Sequence, residues 1–108
     1  MKLIIAIVNK DDSSALTAKL GKAGFMSTKL STTGSFLKAG NVTLLIGVEE
    51  EKVDECLAII EESCSRRTQM VSTAAGNHAD QFFTSLPIEI TVGGATVFVV
   101  DVDRFIKM

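Results

Sequence analysis

Met26-Ser27-Thr28-Lys29-Leu30-Ser31-Thr32-Thr33-Gly34-Ser35-Phe36-Leu37-Lys38-Ala39-Gly40-Asn41-Val42-Thr43-Leu44-Leu45-Ile46-Gly47-Val48 holds two strand patterns with a glycine-flanked loop between them. Met26, Thr28, Leu30 and Thr32 alternate with Ser27, Lys29, Ser31 and Thr33, the period-two pattern of a strand with one half-polar face. Val42 to Val48 is a second, more apolar run, interrupted by Gly47. Glycine inside a strand weakens it and marks a bulge, or a place where another backbone or a ligand comes close. A tight hairpin needs no more than Asn-Gly or Gly-Gly. The adjacent Phe36 and Leu37 therefore exceed what a turn requires. Either they fold back on the domain's own core, or they need flat apolar cover such as a purine ring or another subunit.

Toward the N-terminus, Leu3-Ile4-Ile5-Ala6-Ile7-Val8 is continuously apolar, which suits a central strand buried on both faces. Asp11, Asp12 and Ser13 are candidate N-caps for a helix of about 12–23, with Leu16, Leu20 and Ala23 at helical spacing. Gly24 then suits the left-handed position after the helix, with Phe25 as the apolar partner of that cap.

Toward the C-terminus, Glu49-Glu50-Glu51 suits a helix start, and Val53, Leu57, Ile60 and Cys64 recur at helical spacing, predicting a helix of about 50–64. Arg66-Arg67 suits its C-terminal end. Gln69-Met70-Val71 reads as a short strand. The stretch 72–85, with Phe82 and Phe83, has no period; a loop of that length in a small domain is as a rule functional or disordered. Pro87 opens the alternating strand Ile88–Val92, Gly93-Gly94 is a turn or a kink, and Ala95–Val102 is the last long strand before the tail 103–108.

The order strand, helix, strand, strand, helix, strand is the split βαβ or ferredoxin-like arrangement, an α+β sandwich, here with an extra β-hairpin toward the C-terminal half. Two helices would cover one sheet face. Threonine, valine and isoleucine on the other face are unsuited to bare water, and packing against the sheets of neighbouring subunits would cover them.

With 108 residues, 46% of them apolar, the chain suits one domain with a core of its own. A net charge of −2 argues against a broad nucleic-acid footprint, while a small dianion needs only local cations or backbone N–H groups. Met1–Val8 is too short for a signal sequence and lacks a small-residue cleavage site. No run approaches the length of a membrane span, so a cytoplasmic location is expected. Cys56 and Cys64 fall on one helix roughly 12 Å apart, too far for a disulfide. His78 is the lone histidine and no Cys-x-x-Cys occurs, so neither a metal nor a cofactor is expected.

The loop 33–41, together with Val92-Gly93-Gly94-Ala95-Thr96-Val97-Phe98-Val99, resembles the PII-like cyclic di-AMP receptors, the PstA and DarA proteins of Gram-positive bacteria. The likeness runs collinearly from Met1–Val8 to Val102-Asp103-Arg104-Phe105. It implies one PII-like domain over 1–108, a short T-loop at about 33–41 and a longer B-loop at about 72–86. It further implies a cytoplasmic homotrimer with cyclic di-AMP bound between subunits, no catalysis, and a signal passed to a downstream protein through ligand-dependent loops.

By the same resemblance, Phe36 and Leu37 cover a base, with Gly34 and Ser35 beside them. Asn41 meets an adenine edge, Thr28 a phosphate, Gly47 lets the ligand approach, and Phe98 lines the pocket. Purine edges suit an amide, and phosphates suit N–H groups, hydroxyls or cations, so the chemistry agrees. Two positions depart from the family pattern. Met26 stands where an arginine is common, leaving Lys29 and Lys38 as compensating cations. Lys107 stands where glutamine is common, and could reach a phosphate. Two other readings differ in ligand or class: a PII-like trimer sensing ATP or ADP, for which the loop 33–41 is short, and a trimeric metal-tolerance-type protein or small enzyme, for which no ligand or nucleophile–base constellation is evident.

Overall fold

The computed structural model describes residues 1–30, 40–72 and 87–108. The sequence readings at Gly34, Ser35, Phe36, Leu37, Lys38, Phe82 and Phe83, and most of the two loops, lie outside the described residues.

Strands β1 (Lys2–Asn9), β2 (Ser27–Leu30), β3 (Asn41–Val48) and β6 (Ala95–Asp101) form an antiparallel sheet in the order β2-β3-β1-β6. Helices α1 (Lys10–Lys22) and α2 (Val53–Cys64) lie across one side, and β4 (Arg67–Ser72) pairs with β5 (Pro87–Val92) in a separate two-stranded sheet. This is the expected ferredoxin-like order, with the hairpin β4–β5 inserted before the last strand of the main sheet. The most apolar strands, β1 and β3, take the two central places.

Alternation along β1 decides which side is the core. Ile4, Ala6 and Val8 are buried, as are Val42, Leu44, Ile46 and Val48 on β3. Against them pack Leu16 and Leu20 of α1 and Cys56, Ile60 and Cys64 of α2. The buried stripe of α2 is shifted from the sequence reading: Val53 and Leu57 are only partly buried, and Cys56 is fully so. A single turn of 3₁₀ helix, Glu50–Lys52, occupies the start expected to be α-helical.

Helix α1 starts earlier than its sequence suggests. Its N-cap is Asn9, not Asp11, Asp12 or Ser13; the Asn9 side chain accepts from the Asp11 N–H at 2.8 Å. Asn9→Ala is expected to cost about 1 kcal/mol of stability, the usual loss of an N-cap, read as a lower urea midpoint at unchanged slope. Asp12 is buried and holds Arg67 at 2.9 Å across 55 positions of sequence. Arg67 therefore anchors the root of β4 to α1 rather than capping α2, as its place in the sequence had suggested. At the C-terminal end, Ala23 is the C-cap, and Gly24 follows at φ +89° as expected.

Gly93-Gly94 is a kink, not a hairpin turn: β5 and β6 belong to different sheets. A Cβ on Gly93 would sit 2.8 Å from the Ser65 carbonyl, and the residue holds φ +80°, so glycine is required there. The Gly94 N–H donates to the Cys64 carbonyl, tying this kink to the end of α2.

Both cysteines are free and buried. Burial pushes the Cys56 thiol from its ordinary 9.0 up to about 11, with Glu55 adding to the rise. The folded state thus holds this proton more tightly than the unfolded chain. Its stabilisation is whole below pH 9.0 and is lost as pH rises through about 11. Wild-type protein should therefore lose more stability above pH 9.0 than Cys56→Ala does; parallel pH profiles of the urea midpoints would refute this.

Candidate functional site

The sheet face turned away from the helices carries the candidate residues. Direct pairing places Thr28 opposite Leu45, Leu45 opposite Ile5, and Ile5 opposite Phe98, one row across all four strands. A second row runs Gly47, Leu3, Val100, and a third Leu30, Thr43, Ile7, Thr96. Residues directly opposite in an antiparallel pair project to the same face. This face therefore presents Leu3, Ile5, Ile7, Leu30, Leu45, Phe98 and Val100. Phe98 is 52% exposed and Val100 40%.

Three of the sequence-derived residues come together. Met26, Gly47 and Lys107 line one hollow of about 440 Å³, together with Met1, Gly24, Phe105 and Ile106. A smaller hollow of about 200 Å³ adjoins it across Gly47, toward Phe25, Glu49 and Lys52.

Gly47 is the most telling of these positions. The pairing Lys2–Val48, Leu3–Gly47, Ile4–Ile46 runs through it without a bulge. Its φ is not positive, and a Cβ built there would meet no atom within 4 Å. The expected bulge is therefore absent. Nothing among the described residues accounts for glycine here, and the alternative in the sequence reading, close approach by something outside the strand, remains.

Other candidates lie apart. Thr28 and Phe98 share a face but occupy the two edge strands, roughly 14 Å apart across three strand spacings. Asn41 opens β3 and is exposed, six residues from Gly47 and so roughly 20 Å away along the strand. It is not held in a left-handed conformation; Gly40 takes that role at φ +96°, and its carbonyl accepts from the Lys10 N–H at 2.6 Å. Lys29 pairs with Leu44 and thus projects to the opposite face from Thr28. That places it away from Met26's hollow, so it does not replace a charge missing there. Lys107 does line that hollow.

Electrostatics around the hollow are simple. Lys2 lies opposite Asp101 and is hydrogen-bonded to it, which raises the lysine's pKa and lowers that of the carboxyl. Lys52 pairs with Glu55 at 3.4 Å. Among the described residues Lys107 makes no such pair, and no group of three His, Cys, Asp or Glu side chains is placed to hold a metal ion.

Sequence reasoning missed Met1, Gly24, Phe105 and Ile106 as lining residues. The available signal was an apolar pair, Phe105-Ile106, in a tail with no strand or helix period. Its location follows only from the register of β6 on β1.

The model of a family described as cyclic-di-AMP receptor matches residues 1–108. Among solved structures, the chain is similar to a crystal structure of a functionally unknown protein from Pediococcus pentosaceus. The two are 40% identical with a TM-score of 0.78, over 99% of this chain and 96% of that one. No helix among the described residues is long and apolar enough to cross a membrane.

Proposed function

We propose, from the premise that this chain belongs to the cyclic-di-AMP receptor family, that it binds cyclic di-AMP between the subunits of a homotrimer and signals through ligand-dependent loops. Membership supports a binding and signalling protein rather than an enzyme, with the cyclic dinucleotide as effector. The observation that carries the location is Gly47: an unbroken strand that leaves room for an outside group and borders the hollow.

Two features support a site shared between copies. Thr28, Asn41 and Phe98 are too dispersed on one chain to close around one ligand, whereas neighbouring chains laid sheet to sheet bring opposite edges together. The same packing would cover Phe98 and Val100 and give the hairpin β4–β5 a partner, since a two-stranded sheet is marginal alone in water. On this reading Thr28 meets a phosphate, Asn41 an adenine edge, and Phe98 the pocket wall. By the family resemblance Phe36 and Leu37 cover a base, with Gly34 and Ser35 beside them and Lys38 as a candidate cation. A change in loop surface is then what a downstream protein reads, in the cytoplasm.

Isothermal titration with cyclic di-AMP, with ATP and cyclic di-GMP as controls, tests this. Saturable binding near one ligand per subunit, selective for cyclic di-AMP, is the expected outcome. Preferential ATP binding would favour a different adenine-nucleotide sensor, and no heat at high micromolar ligand would end the receptor reading.

A further inference from the structure

The first turn of α1 is tied on two sides. On one side the Lys10 N–H donates to the Gly40 carbonyl at 2.6 Å, and Asn9 lies opposite Asn41 where β1 pairs with the start of β3. These contacts hold the point at which the chain enters β3. On the other side the buried Asp12 carboxylate accepts from Arg67, at 2.9 Å from Nη2 and 3.5 Å from Nη1. Arg67 is the first residue of β4, and its Nη1 also donates to the Ser65 carbonyl at 3.3 Å.

What Arg67 holds is a hairpin outside the main sheet. Strands β4 and β5 pair with each other and with no strand of that sheet. The chain enters the hairpin past Ser65 and leaves it through Gly93-Gly94, both at positive φ. The Gly94 N–H donates to the Cys64 carbonyl, and a Cβ on Gly93 would lie 2.6 Å from Arg67 Nη1. Two successive glycines give the backbone more rotational freedom than other residues would. The Arg67 guanidinium, set against them, supplies the restraint that they lack.

We propose that the first turn of α1 couples the entry of β3 to the direction of the hairpin β4–β5, with the Asp12–Arg67 pair as the link. An exposed ion pair is too weak and too loose for such a task. Here the carboxylate is buried and the contact is forked. The turn that carries it is itself set by the Asn9 cap and the Lys10–Gly40 bond. A displacement at Gly40 moves Lys10 and, two positions on, the Asp12 carboxylate. Arg67 then loses its fork and the glycine pivot is released. The coupling is reciprocal, so a displaced hairpin is felt at Gly40. It is a property of the fold and holds whichever ligand the protein takes.

Amide hydrogen exchange on the whole chain tests this, read over 67–72 and 87–92 with β1 as the reference. The variants are Asn9→Ala, Arg67→Met, Arg67→Lys and the pairs Asn9→Ala/Arg67→Met and Asp12→Asn/Arg67→Met. The last of these leaves no buried carboxylate without its partner. Arg67→Met should speed exchange in the hairpin about tenfold relative to β1, the loss of a charge-assisted hydrogen bond in a locally opening unit. Arg67→Lys, which keeps the charge but not the fork, should fall between wild type and Arg67→Met. Asn9 caps α1 and pairs with Asn41, not with the hairpin. Even so, Asn9→Ala should speed hairpin exchange, and it should add nothing to Arg67→Met in the double variant. Unchanged hairpin exchange in both Arg67→Met and Asp12→Asn/Arg67→Met overturns the link. Equal acceleration of the hairpin and β1 reports loss of global stability and overturns it too. Effects of Asn9→Ala and Arg67→Met that multiply, or no effect of Asn9→Ala on the hairpin, leave a local clamp and overturn the coupling.

Discussion

Gly47→Val is expected to weaken cyclic di-AMP binding by about a hundredfold, about 2.8 kcal/mol, while leaving the melting temperature unchanged or raised. The two halves of this expectation come from opposite sides of one observation. For the fold, Gly47 is a poor choice. It sits in the interior of β3, in regular register with Leu3, at a φ open to any residue, with no atom within 4 Å of a Cβ. Valine is a better strand former there and removes backbone entropy from the unfolded chain. For the ligand, the missing side chain is the floor of the hollow bordered by Met26 and Lys107. Two methyl groups in that space overpack a seated purine or phosphate, and overpacking costs about 1–3 kcal/mol. Calorimetric titration beside a thermal melt measures both halves at once. Unchanged affinity would show that Gly47 does not border the ligand. A collapse in melting temperature would show that the fold, not the ligand, demands glycine.

Phe98→Asp carries the second large effect. It should convert a trimer to monomers in sedimentation velocity, and abolish cyclic di-AMP binding with it. Phe98 is 52% exposed on an edge strand of the sheet face that the helices leave open, in one row with Ile5, Leu45 and Thr28. Burying a phenylalanine contributes about 1.5–3 kcal/mol, and in the proposed trimer it would do so at each subunit contact. An aspartate there would bring an unpaired charge into an apolar interface, a cost larger than the lost burial. The folded monomer should tolerate the change, because Phe98 is not among the buried core. A variant that stays trimeric but no longer binds would make Phe98 a ligand contact only. One that stays trimeric and binds normally would remove it from the site.

The candidate site was legible in the sequence only in parts. Gly47 stood out because a glycine inside an apolar strand is locally unfavourable, so it needed a cause beyond the strand. Met26 and Lys107 stood out at their positions, but their meeting around one hollow depends on β3, β1 and β6 lying side by side. Phe105 and Ile106 carried no periodic signal and became lining residues only once β6 ended beside Met1. The family likeness named residues on both ends and both edges of the sheet, and among the described residues a single chain gathers only Met26, Gly47 and Lys107 around one hollow.

What the sequence determined by itself was everything set by local periodicity: strands of alternating or continuous apolar residues, two helices with apolar stripes, and their ferredoxin-like order. These follow from side-chain spacing within about ten residues, which a chain displays without its tertiary contacts. Partners distant in sequence were decided only by the tertiary structure. Asp12 reads as a helix cap until Arg67 reaches it; Arg67 reads as a helix-end cation until the root of β4 carries it to α1. Gly93 reads as a turn until the Ser65 carbonyl crosses beneath it. The face that Phe98 shares with Thr28 and the end that Lys107 shares with Met26 are settled by strand register, where a shift of one residue would move every side chain to the other side of the sheet.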